Sequence, residues 1–573
     1  MNQRTPFAIF PTYSDIFSEE SNRIIDQLSK EGLAEKLIIY STSFSGLLYA
    51  EHIQGYSVQI YIMREFKDVL CNTYDGRKIL NWMFSHQQIV FNINTFSMMS
   101  LYQLLLNHRK GKCLNLTITK EEKLLYLKLI LIANEARLDA LCNSNFKESL
   151  QQIAVNDVFL YEKLFWPILL AETDINETIS IEYEMFRLKS VVDYVESSYP
   201  EAKEVIRDFF KKRGFDDCKT YSSCFSLLYL DFFTNLTNNN ILKTGIADNN
   251  HIKALFLPLT INDTASVDNF LQLKSHPLYF YNNAYHVINW SYFLNHIYIG
   301  TFKELECILA DDINGVKDFK QETGTIIEKT LFKNVFENSF GTSWQKSSFD
   351  NCNGALPDAM FQIGNHLFVI ELKDSLMAEK TMESFDFKNI EKHIRETFVE
   401  VINKEKNKTR KRKKGISQLA SYIVKYRSGF YKDFPYNPKL NIYPILVYTD
   451  YKYRLNGLNH YLATAFEKIV TEDETLSLIK RRIHPLTVIG LDTLFHLQIK
   501  LREKKLKLAD AIDDYHRHNK NSFNKYADRG IGRYSQLYPS FERYLPECRE
   551  IFLSTSDFQT IFKKDFFHIE SDK

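Results

Sequence analysis

Apolar positions along the 573-residue chain follow two rhythms. Up to about residue 240 they recur at three- and four-residue steps, as in "SNRIIDQLSKEGLAEKLIIY" and in "TKEEKLLYLKLILIANEARLDALC", which opens like a capped helix at Thr119. That spacing predicts an α-rich region over about 15–240. The Asn- and Thr-rich stretch "FFTNLTNNNILKTGIADNNH" (232–251) interrupts it, because such side chains bond their own backbone and favour turns, and a boundary is expected near 245. Next, "HPLYFYNNAYHVINWSYFLNHIYIGTFKEL" reads as two short strands around an Asn-Asn turn, followed by a helix.

Beyond residue 320 helical periods and short apolar runs alternate. The pattern predicts a helix over 323–340, strands near 344 and over 357–363 and 366–373, helices through 376–405 and over 416–427, and strands over 441–450 and 485–491. A stripe of Leu494, Leu497, Leu501, Leu508 and Ile512 follows. This is an α/β order with a central sheet. The expected units are a mainly helical region 1–245, a strand-strand-helix connector 246–320, an α/β domain 321–500 with a basic helical insertion at 376–415, and a C-terminal helical extension 501–573.

Composition adds that large cores are available, with 45% hydrophobic and 25% charged residues. No apolar run is long enough for a membrane span and the first residues lack a basic-then-apolar signal, so a cytoplasmic protein with no membrane partner is expected. Eight scattered cysteines without a CxxC pair read as buried thiols. Net charge is +1, but segment 401–450 carries twelve Lys/Arg against Glu405, Asp433 and Asp450, whereas "LLAETDINETISIEYEMF" is acidic. A local basic face is expected.

The candidate chemistry lies in "GALPDAMFQIGNHLFVIELKDS" (354–375). Side chains alternate faces along a strand, so Glu371 and Lys373 share one face while Leu372 points into the core. A hairpin through Gly364-Asn365 brings Asp358 beside them. Charges ending a buried strand are costly unless paired. Two carboxylates, helped by the Leu372 carbonyl, suit a hard divalent cation, and a lysine beside it suits an attacking water.

Asp358 with Glu371-Leu372-Lys373 resembles the PD-(D/E)XK nuclease superfamily. An acidic helix residue, Glu328, precedes them, and Gln418 and Tyr422 in "GISQLASYIVKYR" resemble the Q-x-x-x-Y motif of its RecB-like branch, with the strand "IYPILV" following. The resemblance covers roughly 320–450. It implies a restriction-endonuclease-like αβββαβ core with a mixed sheet, and Mg²⁺, with Mn²⁺ able to substitute. It further implies metal binding by Asp358, Glu371 and Glu328, water orientation by Lys373, and hydrolysis leaving a 5′-phosphate and a 3′-hydroxyl. The insertion before Gln418 departs from the family's short connection. Its residues Lys404, Lys406, Lys408, Arg410, Lys411, Arg412, Lys413 and Lys414, together with Lys425, are candidates for phosphate contact. Basic and aromatic residues also mingle in "HRHNKNSFNKYADRGIGRY" (516–534).

These features point to a metal-dependent nuclease, with DNA as the first expected substrate and RNA as the second. The architecture looks like bacterial restriction or anti-phage defence nucleases. The rival is a silent nucleic-acid-binding platform on the same core. No P-loop is present, so any translocation falls to a separate NTPase or defence-system partner, and a homodimer would suit double-strand cleavage. His366 and His393 read as structural.

Overall fold

The computed structural model describes residues 11–54, 62–85, 93, 95–113, 115–142, 157–176, 180–224, 245–248, 250–261, 270–312, 326–340, 356–382, 386–405, 408–432, 434–526 and 537–545. Its helices include α1 (Leu33–Gln54), α2 (Thr95–Asn107), α3 (Lys120–Cys142), α4 (Leu160–Asn176), α5 (Ile181–Ser198), α6 (Thr301–Asp312), α7 (Lys333–Phe340), α8 (Phe387–Phe398), α9 (Gly415–Arg427), α10 (Leu458–Glu472), α11 (Leu491–Arg502) and α12 (Leu508–Tyr526). The first part is helical as its periodicity predicts. The Thr119 cap is reciprocal: its hydroxyl accepts the Glu122 N–H at 3.3 Å and Glu122 Oε2 accepts the Thr119 N–H at 2.7 Å.

Around the expected Asn-Asn turn, β1 (Gly245–Ala247), β2 (Leu278–Tyr281) and β3 (Ala284–Val287) form an antiparallel sheet in the order β1-β3-β2. Asn282 and Asn283 both adopt positive φ, 50° and 57°. That is the geometry a two-residue hairpin turn requires, and Asn tolerates it better than most residues.

The second sheet, in the order β4-β5-β8-β9, is mixed. β4 (Ala359–Ile363) runs antiparallel to β5 (His366–Lys373), which runs parallel to β8 (Asn441–Tyr448), itself parallel to β9 (Thr487–Gly490). The strand expected near 344 lies outside the described residues. The β4–β5 turn is the predicted one, with Gly364 at φ +58° between the paired residues Ile363 and His366.

Each face of this sheet is covered. Phe361, Phe368, Ile370 and Leu372 belong to the core that includes Phe336 and Phe340 of α7 and Leu494 and Leu497 of α11. Met360, Leu367, Val369 and Leu446 belong to a second core with α8, α9 and α10. The strands therefore read as continuous apolar runs, as strands covered on both faces do. The five residues of the predicted stripe, Leu494 to Ile512, are all buried, but on two helices separated by a turn in which Lys504 takes φ +58°.

One element differs from expectation. The insertion before α9 is helical through α8, but its basic end forms a two-stranded antiparallel ribbon, β6 (Glu400–Glu405) with β7 (Lys408–Lys413). Five of the six residues of "KTRKRK" are Lys or Arg, like charges that a helix would stack at i, i+3 and i+4, whereas an extended strand holds same-face neighbours further apart. Apolar packing also continues across the expected boundaries, since one core runs from Tyr13 to Leu545. Segment 225–244, beside the boundary expected near 245, lies outside the described residues.

Candidate active site

Along β5, Leu367 and Val369 pack on the α9 side and Phe368, Ile370 and Leu372 on the α7–α11 side. Glu371 and Lys373 continue the first set, so both face α9. Ala359 pairs with Ile370 at the end of the ladder, and Asp358 immediately precedes it. Asp358 has the parity of Met360, which packs on the same side.

Asp358 Oδ2 accepts the Leu372 N–H at 2.6 Å, tying the start of β4 to the end of β5. Lys373 Nζ donates to Glu371 Oε1 at 2.5 Å. Glu371 is only 2% exposed. At that depth the Lys373 ammonium against it offsets part of the cost of burying the acidic group. The backbone of Leu372 lies between these groups and its side chain enters the core, as the strand pattern predicts.

α9 packs directly on β5 and supplies Gln418 and Tyr422 to this face. Gln418 Nε2 donates to the Tyr422 hydroxyl at 3.5 Å. Burial pushes the Tyr422 phenol up, and the charges of Glu371 and then Asp358 add to it. Gln418 Oε1 is buried with no hydrogen-bond partner among the described residues. Lys414, the residue capping α9, has its ammonium pushed down by desolvation and by the neighbouring charges of Arg412 and Lys373. Asp358, Glu371, Lys373, Gln418, Tyr422 and Lys414 thus converge at the carboxyl end of β5.

The remaining expected residues are placed less closely. Glu328 falls in a helical stretch with widened turns, Ile327–Phe332, leading into α7, but its side chain lies outside the described residues, and α7 covers the opposite face of the sheet. Of the basic candidates, Arg412 and Lys413 are exposed on β7, with Lys413 Nζ donating to Ser421 Oγ at 2.8 Å. The side chains of Lys404, Lys406, Lys408, Arg410 and Lys411 lie outside the described residues. Lys425 lies over the rings of Tyr422 and Phe430, 5.8 and 5.3 Å from their centroids. In 516–534, the part up to Tyr526 is helical and 527–534 lies outside the described residues.

Among the described residues no group of three or more His, Cys, Asp or Glu side chains is arranged to hold a metal. The donors present are two hard carboxylates on one face. Mg²⁺ is commonly held by one or two carboxylates, waters and substrate phosphate, so this pair fits such an ion.

Sequence reasoning missed a buried charge cluster beyond the strand ends. Arg187 Nη1 pairs with Glu184 at 3.2 Å, Arg454 pairs with Asp492, and Thr449 donates to Asp374 Oδ1 at 2.5 Å. Glu182 and Glu184, from the acidic stretch, are buried. The available signal was Glu184 and Arg187 at i, i+3 within an apolar helix.

Compared with known proteins, the chain matches no family model, no curated protein and no solved structure.

Proposed function

We propose that the chain is a Mg²⁺-dependent nuclease that hydrolyses phosphodiester bonds, with DNA as its substrate, on a restriction-endonuclease-like core. The observation that carries this reading is the convergence of Asp358, Glu371 and Lys373 on the face where α9 presents Gln418 and Tyr422. The β4–β5 hairpin, the α9 crossover and the parallel β8 agree with part of the αβββαβ order of such a core, whose other strand, expected near 344, lies outside the described residues.

Asp358 and Glu371 would hold the cation, beside the Leu372 carbonyl. When bound, it supplies Lewis-acid polarisation of the phosphate and lowers the pKa of a bound water. Lys373, already held by Glu371, donates a hydrogen bond to the attacking water and offsets charge developing on the phosphorus oxygens. Tyr422 stays protonated, since burial and both carboxylates disfavour its ionisation, and so serves as a donor that fixes Glu371. Lys414, with Arg412 and Lys413 of the ribbon, provides phosphate contacts that position the strand without reading sequence.

The test is cleavage of plasmid, linear duplex, single-stranded DNA and RNA with Mg²⁺, Mn²⁺ or EDTA, comparing wild type with Asp358→Ala and Lys373→Ala. Metal-dependent DNA cutting lost in both variants supports the reading. Cutting of RNA alone replaces the substrate. Binding without cutting, unchanged in both variants, overturns the enzyme in favour of a docking platform.

A further inference from the structure

At the β9 edge of the second sheet, where the chain enters that strand, lies a cavity of about 400 Å³ between α10, the segment 483–486 and α12. Three imidazoles line it, those of His460, His484 and His516. Each is already fixed through one nitrogen. His460 Nδ1 is hydrogen-bonded to the fully buried Glu162 at 2.7 Å, His484 Nδ1 to Asp513 at 2.8 Å, and His516 Nε2 to Thr487 Oγ1 at 2.9 Å. Two are also held by stacking: His460 on Tyr538 with centroids 4.0 Å apart, and His484 on Tyr443 at 3.9 Å.

The second nitrogen of each ring has no hydrogen-bond partner among the described residues. Asp513 fixes the proton of His484 on Nδ1, which leaves Nε2 as an acceptor. Desolvation keeps His484 and His516 neutral at neutral pH. The uncharged His484 acceptor and the neutral His516 ring beside it, both held in place in advance, suit a ligand that offers N–H or O–H groups. The other wall, with Phe466, Val470 and Leu486, is apolar and suits a flat ring. Lys480 and Lys520 stand at the polar side, Lys480 tethered to Glu467 at 2.9 Å. The volume lies within the range of small-molecule sites.

We propose that this cavity binds a nucleoside monophosphate, its base against the imidazoles and the apolar wall and its phosphate on Lys480 and Lys520. A sugar phosphate would leave the apolar wall uncovered, and an uncharged base would leave the lysines unused. The inference is independent of the nuclease reading, since Asp358 leads into β4, at the opposite edge of the sheet from β9.

The experiment is calorimetric titration of the full chain, without divalent metal, by AMP, GMP, CMP and UMP, with adenosine, ribose 5-phosphate and inorganic phosphate as separate arms. At least one mononucleotide is expected to bind with a Kd below about 1 mM and at least about tenfold more tightly than its fragments. Lys480→Ala and the cavity-filling Thr464→Trp, each checked for an unchanged melting temperature, should weaken it about tenfold or more, while Asp358→Ala leaves it unaltered. Absence of binding by all four nucleotides at about 5 mM, equal binding of ribose 5-phosphate, or wild-type affinity in both folded variants would overturn the proposal.

Discussion

Single residues separate chemistry from support at the candidate site. Lys373 and Glu371 are a bonded pair, so under the proposed function Lys373→Ala would remove the donor to the attacking water and also leave a nearly buried Glu371 without its cation. Activity should fall about 10²–10³-fold or more, the range for losing one preorganised donor, whereas Tyr422→Phe, which keeps the packing, should cost much less. Single-turnover cleavage at saturating enzyme checks both; equal losses would place Tyr422 among the reacting groups. His516 yields a pH prediction. Burial lowers its pKa from 6.5 to about 4, so the unfolded chain binds a proton there before the folded one does. Its contribution is absent above about pH 6.5 and opposes folding increasingly as pH falls towards 4. Buried Glu162 and Glu184, whose carboxyls burial pushes up, act with the opposite sign, because the folded state takes up their protons first. The test is therefore a difference. Between pH 7 and pH 5, His516→Gln should lose less stability than wild type by about 1–2 kcal/mol, measured by urea unfolding. An identical pH slope in the two proteins would reject the assignment.

At the level of elements, the junction of α8, the ribbon and α9 depends on one glycine. Gly415 has φ +38°, and a Cβ there would meet the Phe398 carbonyl oxygen at 2.4 Å, while the Lys414 N–H donates to Val399 O at 3.0 Å. Gly364 in the β4–β5 turn has φ +58° but open space around it. Gly415→Ala should thus cost about 2–3 kcal/mol and Gly364→Ala about 1 kcal/mol, the difference reporting the carbonyl contact beyond backbone strain. Thermal unfolding of the two variants decides, and equal costs would mean that the Phe398 carbonyl moves aside freely. The pairing of β4 with β5 and the faces of Glu371, Lys373 and Leu372 were legible in the sequence because a two-residue period and a Gly-Asn turn are local signals. The ribbon was not, because β6 and β7 exist through pairing with each other, and a run of Lys and Arg carries no apolar period to announce it. The imidazole-lined cavity was illegible for a related reason: His460, His484 and His516 and their partners Glu162, Asp513 and Thr487 come from segments up to 298 positions apart.

For the whole molecule, the question is whether the first 245 residues form a separable unit, as the Asn-rich stretch suggests. Packing across that boundary argues that they do not. Trp166 is fully buried in the second core, 5.8 Å from the Phe387 ring and 5.4 Å from Tyr461, and its indole N–H donates to the Asn456 carbonyl at 2.9 Å. Tyr183 and Phe186 of α5 pack on Phe495 of α11 at 5.9 and 5.3 Å, and Arg187 lies 4.2 Å over the Phe302 ring. Tyr279 of β2 donates to Glu35 at 3.0 Å, linking the small sheet to α1. Removing residues 1–245 would strip partners from both faces of the second sheet and leave His460 without its buried carboxylate. A chain covering 246–573 should therefore fail to fold cooperatively, with weak near-UV circular dichroism, dye-accessible apolar surface and no melting transition. In the full chain, Trp166→Ala should cost about 3–5 kcal/mol, the usual range for deleting a buried aromatic. That loss should shift one transition for the whole molecule, because the residue belongs to the core beneath α9 and not to an outlying helical domain. A fragment that melts sharply and cleaves nucleic acid unaided would instead make the first 245 residues an appendage, and the packing around Trp166 a contact the sheet can do without.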